Sequence, residues 1–368
     1  MNLSDKEWKA FLFPEIFDIK GGFYNKKPIM EEDGNIPFIG ATDSNNGITQ
    51  FNTKDRIEKT SKTGDKNNAS LEKKIFEGNC IVVTNNGSVG YAYYQTHSFT
   101  CSHDVNPLYL KNRILTPNIA YFLICSIEKQ KVCFSYVHKW RPKRMKKSKI
   151  LLPITEDGQP DYDFMEKYID KRTNIKRIDY LNYCNEELEK IKSVAKPISL
   201  SDKKWDSFFV VDIFNDIQRG KRLKTADHSF GNVPYISSSS LNNGVDNFIS
   251  NNEGVRKFSN CLSLANSGSV GSTFYEPFEF VASDHITHLK NKEFNKYHYL
   301  FLATITSRLS QKYNFNREIN DKRISREKIL LPINDSGTPD YEYMEAYAKN
   351  IIAKKMQNYI DYVSKTEH

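Results

Sequence analysis

Four sets of residues in this 368-residue chain have types and spacings that could do chemistry. Asn106–Tyr109 reads NPLY, close to the NPPY motif with which amino-methyltransferases hold a target amine. Its third position is Leu, no glycine-rich cofactor loop precedes it, and the matching place later in the chain reads ITHL (Ile286–Leu289). Pro160-Asp161 and Pro339-Asp340 resemble the start of a PD-(D/E)xK nuclease, but no D/E-x-K follows either, so a metal site cannot be completed. Capping of a helix N-terminus explains these aspartates better. His103-Asp104 and Asp284-His285 could be acid–base dyads, although a His at a strand edge is more often structural. Six cysteines (Cys80, Cys101, Cys125, Cys133, Cys184 and Cys261) include no CxxC or Cys/His zinc spacing and are expected to be reduced and buried. Catalysis therefore has little support, and the expectation is a chain that is not itself an enzyme.

The remaining chemistry is that of recognition. Asn45-Asn46-Gly47 and Asn242-Asn243-Gly244 are polar loops at matching places. An Asn amide can pair bidentately with adenine in the major groove, and NNG is equally a plain turn. Lys139–Lys149 reads KWRPKRMKKSK, seven positive charges and no negative ones. Lys139, Arg141, Lys143, Arg144, Lys146 and Lys147 could reach phosphates or guanine edges, or form a solvated loop. The matching stretch, Asn316–Lys328, is NREINDKRISREK, mixed in sign, and offers Arg317 and Arg323. Arg144 and Arg323 fall at equivalent places, which suggests a shared phosphate contact. Net charge is +8, which permits a polyanionic partner without requiring one.

The elements that must position these residues occur twice. LSDKEW (Leu3–Trp8) returns as LSDKKW (Leu200–Trp205), GNIPFI (Gly34–Ile39) as GNVPYI (Gly231–Ile236), and NNGSVG (Asn85–Gly90) as NSGSVG (Asn266–Gly271). KILLPITEDGQPDYDFMEKY (Lys149–Tyr168) returns as KILLPINDSGTPDYEYMEAY (Lys328–Tyr347). A period near 180 residues is too long for a solenoid and means two copies of one domain. Each copy has short β-branched and aromatic runs broken by Gly, Asn and Pro, among them CIVVT (Cys80–Thr84), YAYYQ (Tyr91–Gln95), SFTC (Ser98–Cys101) and PLYL (Pro107–Leu110). NNGSVG between two of them predicts a hairpin, with Asn and Gly taking positive φ. A helix is predicted over Pro117–Gln130 and again over Lys296–Gln311. A longer helix follows each KILLPI strand. Its apolar stripe is Phe164, Tyr168, Ile175, Ile178, Leu181, Leu188 and Ile191 in the first copy, and Met344, Tyr347, Ile351, Met356, Ile360 and Val363 in the second.

The stripes predict that the two helices pair antiparallel, with the domains at opposite ends. The fold class is therefore α+β: two tandem recognition domains joined by two long antiparallel helices, with pseudo-two-fold symmetry inside one chain. The expected bounds are 1–157 and 198–336 for the domains, and 158–197 and 337–368 for the helices. No run of 18 apolar residues suggests a membrane span, and the N-terminus lacks a signal-peptide core, so a cytoplasmic protein is expected.

On PFIGATDSNNGI (Pro37–Ile48), CIVVTNNGSVG (Cys80–Gly90) and the KILLPI strand with its long helix, each present twice, the chain resembles the specificity (S) subunits of type I restriction–modification systems. The LPI-xxx-G-x-PDY-xx-M link looks closer to the related type IIB recognition subunits. The resemblance covers nearly the whole chain. It implies that each domain reads one half of a bipartite, asymmetric site in double-stranded DNA. It also implies that the helices set the half-site separation and dock methyltransferase and restriction subunits. Those partners would carry S-adenosylmethionine and Mg, leaving no cofactor on this chain. The competing reading is a duplicated protein- or ligand-binding scaffold with no nucleic-acid role.

Overall fold

The computed structural model describes residues 1–64, 69–135, 137–191 and 199–366. The chain divides into two compact units, Met1–Asp179 and Tyr180–His368. The first contains β1 (Trp8–Leu12), β2 (Phe17–Ile19), β3 (Ile36–Ile39), β4 (Ile48–Asn52), β5 (Cys80–Thr84), β6 (Ala92–Gln95), β7 (Thr100–Cys101), β8 (Val105–Leu110) and β9 (Lys149–Pro153). The second repeats the order with β10 (Trp205–Phe209), β11 (Asp216–Arg219), β12 (Phe230–Ile236), β13 (Val245–Ile249), β14 (Lys257–Phe258), β15 (Cys261–Ala265), β16 (Thr273–Glu276), β17 (Phe280–Ala282), β18 (Ile286–Lys290) and β19 (Lys328–Pro332).

In each unit the core is built on one central strand. All five residues of β5 are buried, because successive side chains point to opposite faces and both faces are covered. Ile81 and Val83 pack with Ile119 and Leu123 of the helix Pro117–Glu128. Cys80 and Val82 face the other way, onto Ile39 and Phe99. Fully burying such a side chain stabilises by about 1.5–3 kcal/mol, so a continuous apolar run is what this position demands. β15 repeats the arrangement: Leu262 and Leu264 in one core, Cys261 and Ala265 in the other. The sheets are β2-β8-β5-β6 and β4-β3-β7 in the first unit, and β11-β18-β15-β16 and β13-β12-β17-β14 in the second. A separate ribbon pairs β1 with β9, and another pairs β10 with β19.

The long helices run Tyr162–Ile191 and Tyr341–Thr366. The stretch 192–197 expected to belong to the first lies outside the described residues. Asp161 and Asp340 cap the helices as predicted, each Oδ1 accepting at 2.9 Å from the N–H of Phe164 and Tyr343 respectively. Lys6 and Lys203 pair with the same two carboxylates. Within the second unit, residues from Tyr180 onward lie antiparallel to the last helix. The Tyr180 ring meets Tyr359 at 4.7 Å, and Ile191 packs with Ala348.

The stripe departs from the predicted one in part: Phe164 and Ile191 are buried and Tyr168, Leu181 and Leu188 half-buried as expected. Ile175 and Ile178 are exposed, whereas Cys184 and Glu187, which the stripe did not include, are buried. The periodicity count misses Glu187 because it is polar, yet its carboxylate is held by Lys190 at 2.8 Å and Lys296 at 2.7 Å. In the second helix Met344, Met356 and Val363 are buried as expected, Ile351 is exposed, and Ala348 takes a core place. Two of the cysteines expected to be buried, Cys125 and Cys133, are exposed. SFTC contributes only Thr100–Cys101 as a strand. Among the described residues no helix is long and apolar enough to cross a membrane.

Candidate nucleic-acid interface

At one end of each unit, four loops meet around a buried asparagine. In the first unit this is Asn85. Its N–H donates to Asp104 O at 2.8 Å and its carbonyl accepts from Trp140 N–H at 3.1 Å. Its amide Nδ2 donates to His103 O at 3.2 Å and to Asn106 Oδ1 at 2.5 Å. The hairpin after β5, the turn before β8 and the basic segment are thus tied to one residue. Asn266 does the same in the second unit: its N–H donates to His285 O at 2.9 Å, its carbonyl accepts from Ile319 N–H at 2.9 Å, and its amide reaches Thr287 Oγ1 at 3.1 Å. The fourth loop joins through Tyr93 Oη, which donates to Thr42 O at 2.9 Å, and in the second unit through Ser269 N–H, which donates to Ser238 O at 3.0 Å.

These asparagines are not the turn formers that the sequence suggested. In NNGSVG the positive φ belongs to Gly87 and Gly90, and in NSGSVG to Gly268 and Gly271. Asn85 and Asn266 are buried because three backbone partners and a side-chain partner need one donor–acceptor hub. The only sequence signal was that the first Asn of the motif is kept between the copies while the second becomes Ser267.

The NNG loops do form turns. Asn45, Asn46, Asn242 and Asn243 all have φ near +50°, a left-handed conformation that Asn tolerates. Asn45 Nδ2 donates to Ile48 O at 3.0 Å and Asn46 Nδ2 to Tyr94 O at 3.2 Å. Gln95 Nε2 donates to Asn46 O at 3.0 Å and anchors the turn to β6. Asn45, Asn46, Asn242 and Asn243 are all exposed.

The basic segment is pinned by its two apolar residues. Trp140 is fully buried, stacked on Phe134 at 4.6 Å and edge-on to Phe13 at 5.3 Å, with Nε1 donating to Ser148 Oγ at 2.9 Å. Met145, at the end of the short helix Pro142–Met145, is buried as well. Arg141, Lys143, Arg144, Lys146 and Lys147 are left exposed around these anchors, and Lys139 is half-buried. Arg144 Nη1 donates to Lys139 O at 2.8 Å, and Arg323 Nη1 donates to Glu318 O. The equivalence of the two arginines is therefore accounted for by a shared loop-closing bond, and no longer argues for a shared phosphate contact. Arg317 lies over the Tyr313 ring, 5.3 Å from its centroid. The mixed-sign segment of the second unit is more basic at its surface than it reads. Glu327 is buried; burial opposes its ionisation, but hydrogen bonds from Lys312 and Tyr313 outweigh that and hold its carboxyl below the usual range. Lys322 and Arg326 remain exposed beside Arg323.

Among the described residues no group of three or more His, Cys, Asp or Glu is placed to hold a metal. What the loop end presents is a hydrogen-bonded frame with exposed cations and amides. The family model for the type I restriction modification DNA specificity domain matches the chain twice, over residues 5–182 and 202–361. The chain belongs to that family. It is a restriction–modification specificity subunit with two recognition domains. It is 32% identical over 345 residues to the Type II restriction enzyme BgcI specificity subunit S.BcgI of Heyndrickxia coagulans, covering 93% of each chain. Among solved structures it is similar to the type I restriction–modification S subunit from M. genitalium (TM-score 0.46, 15% identity, covering 99% of this chain and 94% of that one). The HsdS subunit from Thermoanaerobacter tengcongensis is also similar (TM-score 0.31, 11% identity, covering 96% and 90%). Specificity subunits of this family are recognition components.

Proposed function

We propose that the two loop ends read the two halves of a bipartite, asymmetric site in duplex DNA, and that this chain leaves the chemistry to methyltransferase and restriction subunits. The observation that carries this reading is the pairing of one hub with two surfaces: Asn85 and Asn266 hold the same loops in the same hydrogen-bond pattern, while the exposed residues around them differ. Lys139, Arg141, Lys143, Lys146 and Arg317 supply phosphate contacts, with Arg144 and Arg323 adding charge from their closed loops. Asn45, Asn46, Asn242 and Asn243 retain amide capacity for base edges beyond the bonds that close their turns. S-adenosylmethionine and Mg belong to the partner subunits. The exposed Ile175 and Ile178 of the first long helix give those subunits an apolar surface.

Copurification with neighbouring gene products, followed by duplex binding at several salt concentrations and methylation-site sequencing, tests the reading. With roughly 6–10 phosphates neutralised, affinity should fall by about 10³–10⁵ between 50 and 200 mM salt. Salt-independent binding, or methylation at sites without two separable half-sites, would refute it.

A further inference from the structure

Beside each hub sits a second pair of residues that changes as a unit between the two domains. Asp104 and His285 occupy the same backbone place, since each carbonyl accepts from the hub N–H, of Asn85 and Asn266 respectively. Asn86 and Ser267 each follow the hub in the chain. In the first domain Asn86 Nδ2 donates to Asp104 Oδ1 at 2.9 Å. In the second, Ser267 Oγ is hydrogen-bonded to His285 Nδ1. Both members have been exchanged together, amide with carboxylate for hydroxyl with imidazole. The preceding residues are transposed as well, so that His103 Nε2 lies 3.3 Å from Asp104 Oδ1 and Asp284 Oδ1 lies 3.9 Å from His285 Nε2. Everything that holds the loop is retained: the hub Asn, Val89 and Val270, and the glycines at 87, 90, 268 and 271.

We infer that Asn86–Asp104 and Ser267–His285 are the specificity-determining pairs of the two domains, reading base edges of opposite hydrogen-bonding character. A group needed only to brace the loop has no reason to change partner chemistry while the loop's backbone bonds stay the same. Asp104 and His285 are the members placed to touch a ligand, with 21% and 48% of their side chains accessible amid the exposed loops that carry the basic residues, while Ser267 is buried and braces His285. Each is nonetheless held in one orientation by its partner, as a reading group must be. An Asp104 carboxylate accepts only, which suits an exocyclic amino group such as cytosine N4. When the Ser267 hydroxyl donates to Nδ1, the neutral His285 ring carries its proton on Nε2 and can donate, which suits the O6 or N7 acceptors of guanine. The two half-sites therefore differ in hydrogen-bonding sense at the base pair each pair touches.

The inference rests on the loop ends facing DNA, and the test separates the two. The full chain carrying Asn86→Ser and Asp104→His is produced with its native partner subunits, and its methylated sites are sequenced beside those of the wild type. The expected result is a changed base preference at one or two positions of the first half-site, by roughly 10- to 100-fold, with the second half-site intact. The mirrored variant, Ser267→Asn with His285→Asp, should change the second half-site alone. Unaltered sites from an active complex, or a uniform loss across all sequences, would overturn the inference while leaving DNA recognition standing. Failure of the DNA reading itself appears in the wild type, as a complex without salt-dependent duplex binding. If the double exchange does not accumulate, Asp104→Asn is read in the same way. A single relaxed position in the first half-site supports the inference, and an unchanged site overturns it.

Discussion

Glu276 is fully buried on β16 opposite Cys261, where the first domain has Gln95 opposite Cys80. The first-domain glutamine donates to Asn46 O and so holds the NNG turn. The carboxylate in its place accepts from Ser263 Oγ at 2.8 Å through Oε1, while Oε2 is buried without a partner among the described residues. Burial pushes this carboxyl from its ordinary 4.5 up to about 7, outweighing the Ser263 hydrogen bond, which pulls the other way. Cys261 is its cross-strand neighbour, and Asp216 and Lys290 are the charged groups of β11 and β18 on that side; His288 is buried on β18. The fold thus binds a proton that the unfolded chain has released between pH 4.5 and 7. Stability from this group is full below 4.5 and is lost as pH rises through about 7. The difference corresponds to about 3 kcal/mol at most. Glu276→Gln removes the penalty and supplies the donor that the first domain uses. Urea denaturation of the full chain should show a gain of about 1 kcal/mol at pH 5 rising to about 3 kcal/mol at pH 8. A variant no more stable than the wild type at pH 8 would refute the reasoning, as would a gain that does not grow with pH.

Replacing Arg141, Lys143 and Lys146 together by Ala should weaken duplex binding by the assembled complex nearly uniformly across sequences and reduce the salt slope by about 3. An unchanged slope would remove the segment from the interface. Trp140→Ala, by contrast, should cost about 3–5 kcal/mol in urea denaturation, since a fully buried indole packed on Phe13 and Phe134 leaves a cavity; a cost below 1 kcal/mol would mean the segment is not anchored there. Asp161→Ala should destabilise by about 1–2 kcal/mol through loss of the Phe164 cap and the Lys6 ion pair, read in the same assay. Four residues inserted near Ile175, about one helical turn, should alter the spacer between methylated half-sites and leave their bases unchanged; a folded, active variant with the original spacer would show that another element sets it.

The large features were legible because they rest on local rules. The twofold repeat, the CIVVT strand and the aspartates that cap the long helices all follow from residue type and period. The hub was not legible, because an Asn before a Gly carries the same signal in a turn as in a buried bracket, and only long-range partners tell them apart. The helix seam was misread around Ile175 and Ile178 for a related reason. A count of apolar residues favours Ile178, which is exposed, over Glu187, whose burial depends on Lys296 more than a hundred residues away. The Arg144–Arg323 equivalence was visible, but its cause, a bond to a backbone carbonyl five residues back, was not.

The ribbon that joins β1 to β9 has a consequence for biosynthesis. Trp8 pairs with Pro153 and Leu12 with Lys149, so the first strand of the domain meets its partner only at the domain's end. At about 5–20 residues per second, the intervening roughly 140 residues take about 7–28 s to be made. Throughout that interval β1 is an unpaired edge carrying Trp8 and Phe11, the kind of segment that seeks strands in other chains. The second domain repeats the delay between β10 and β19. A nascent chain halted before residue 149 would therefore carry an open seam, which makes the KILLPI strand the last closure of each domain and the point after which truncation becomes tolerable.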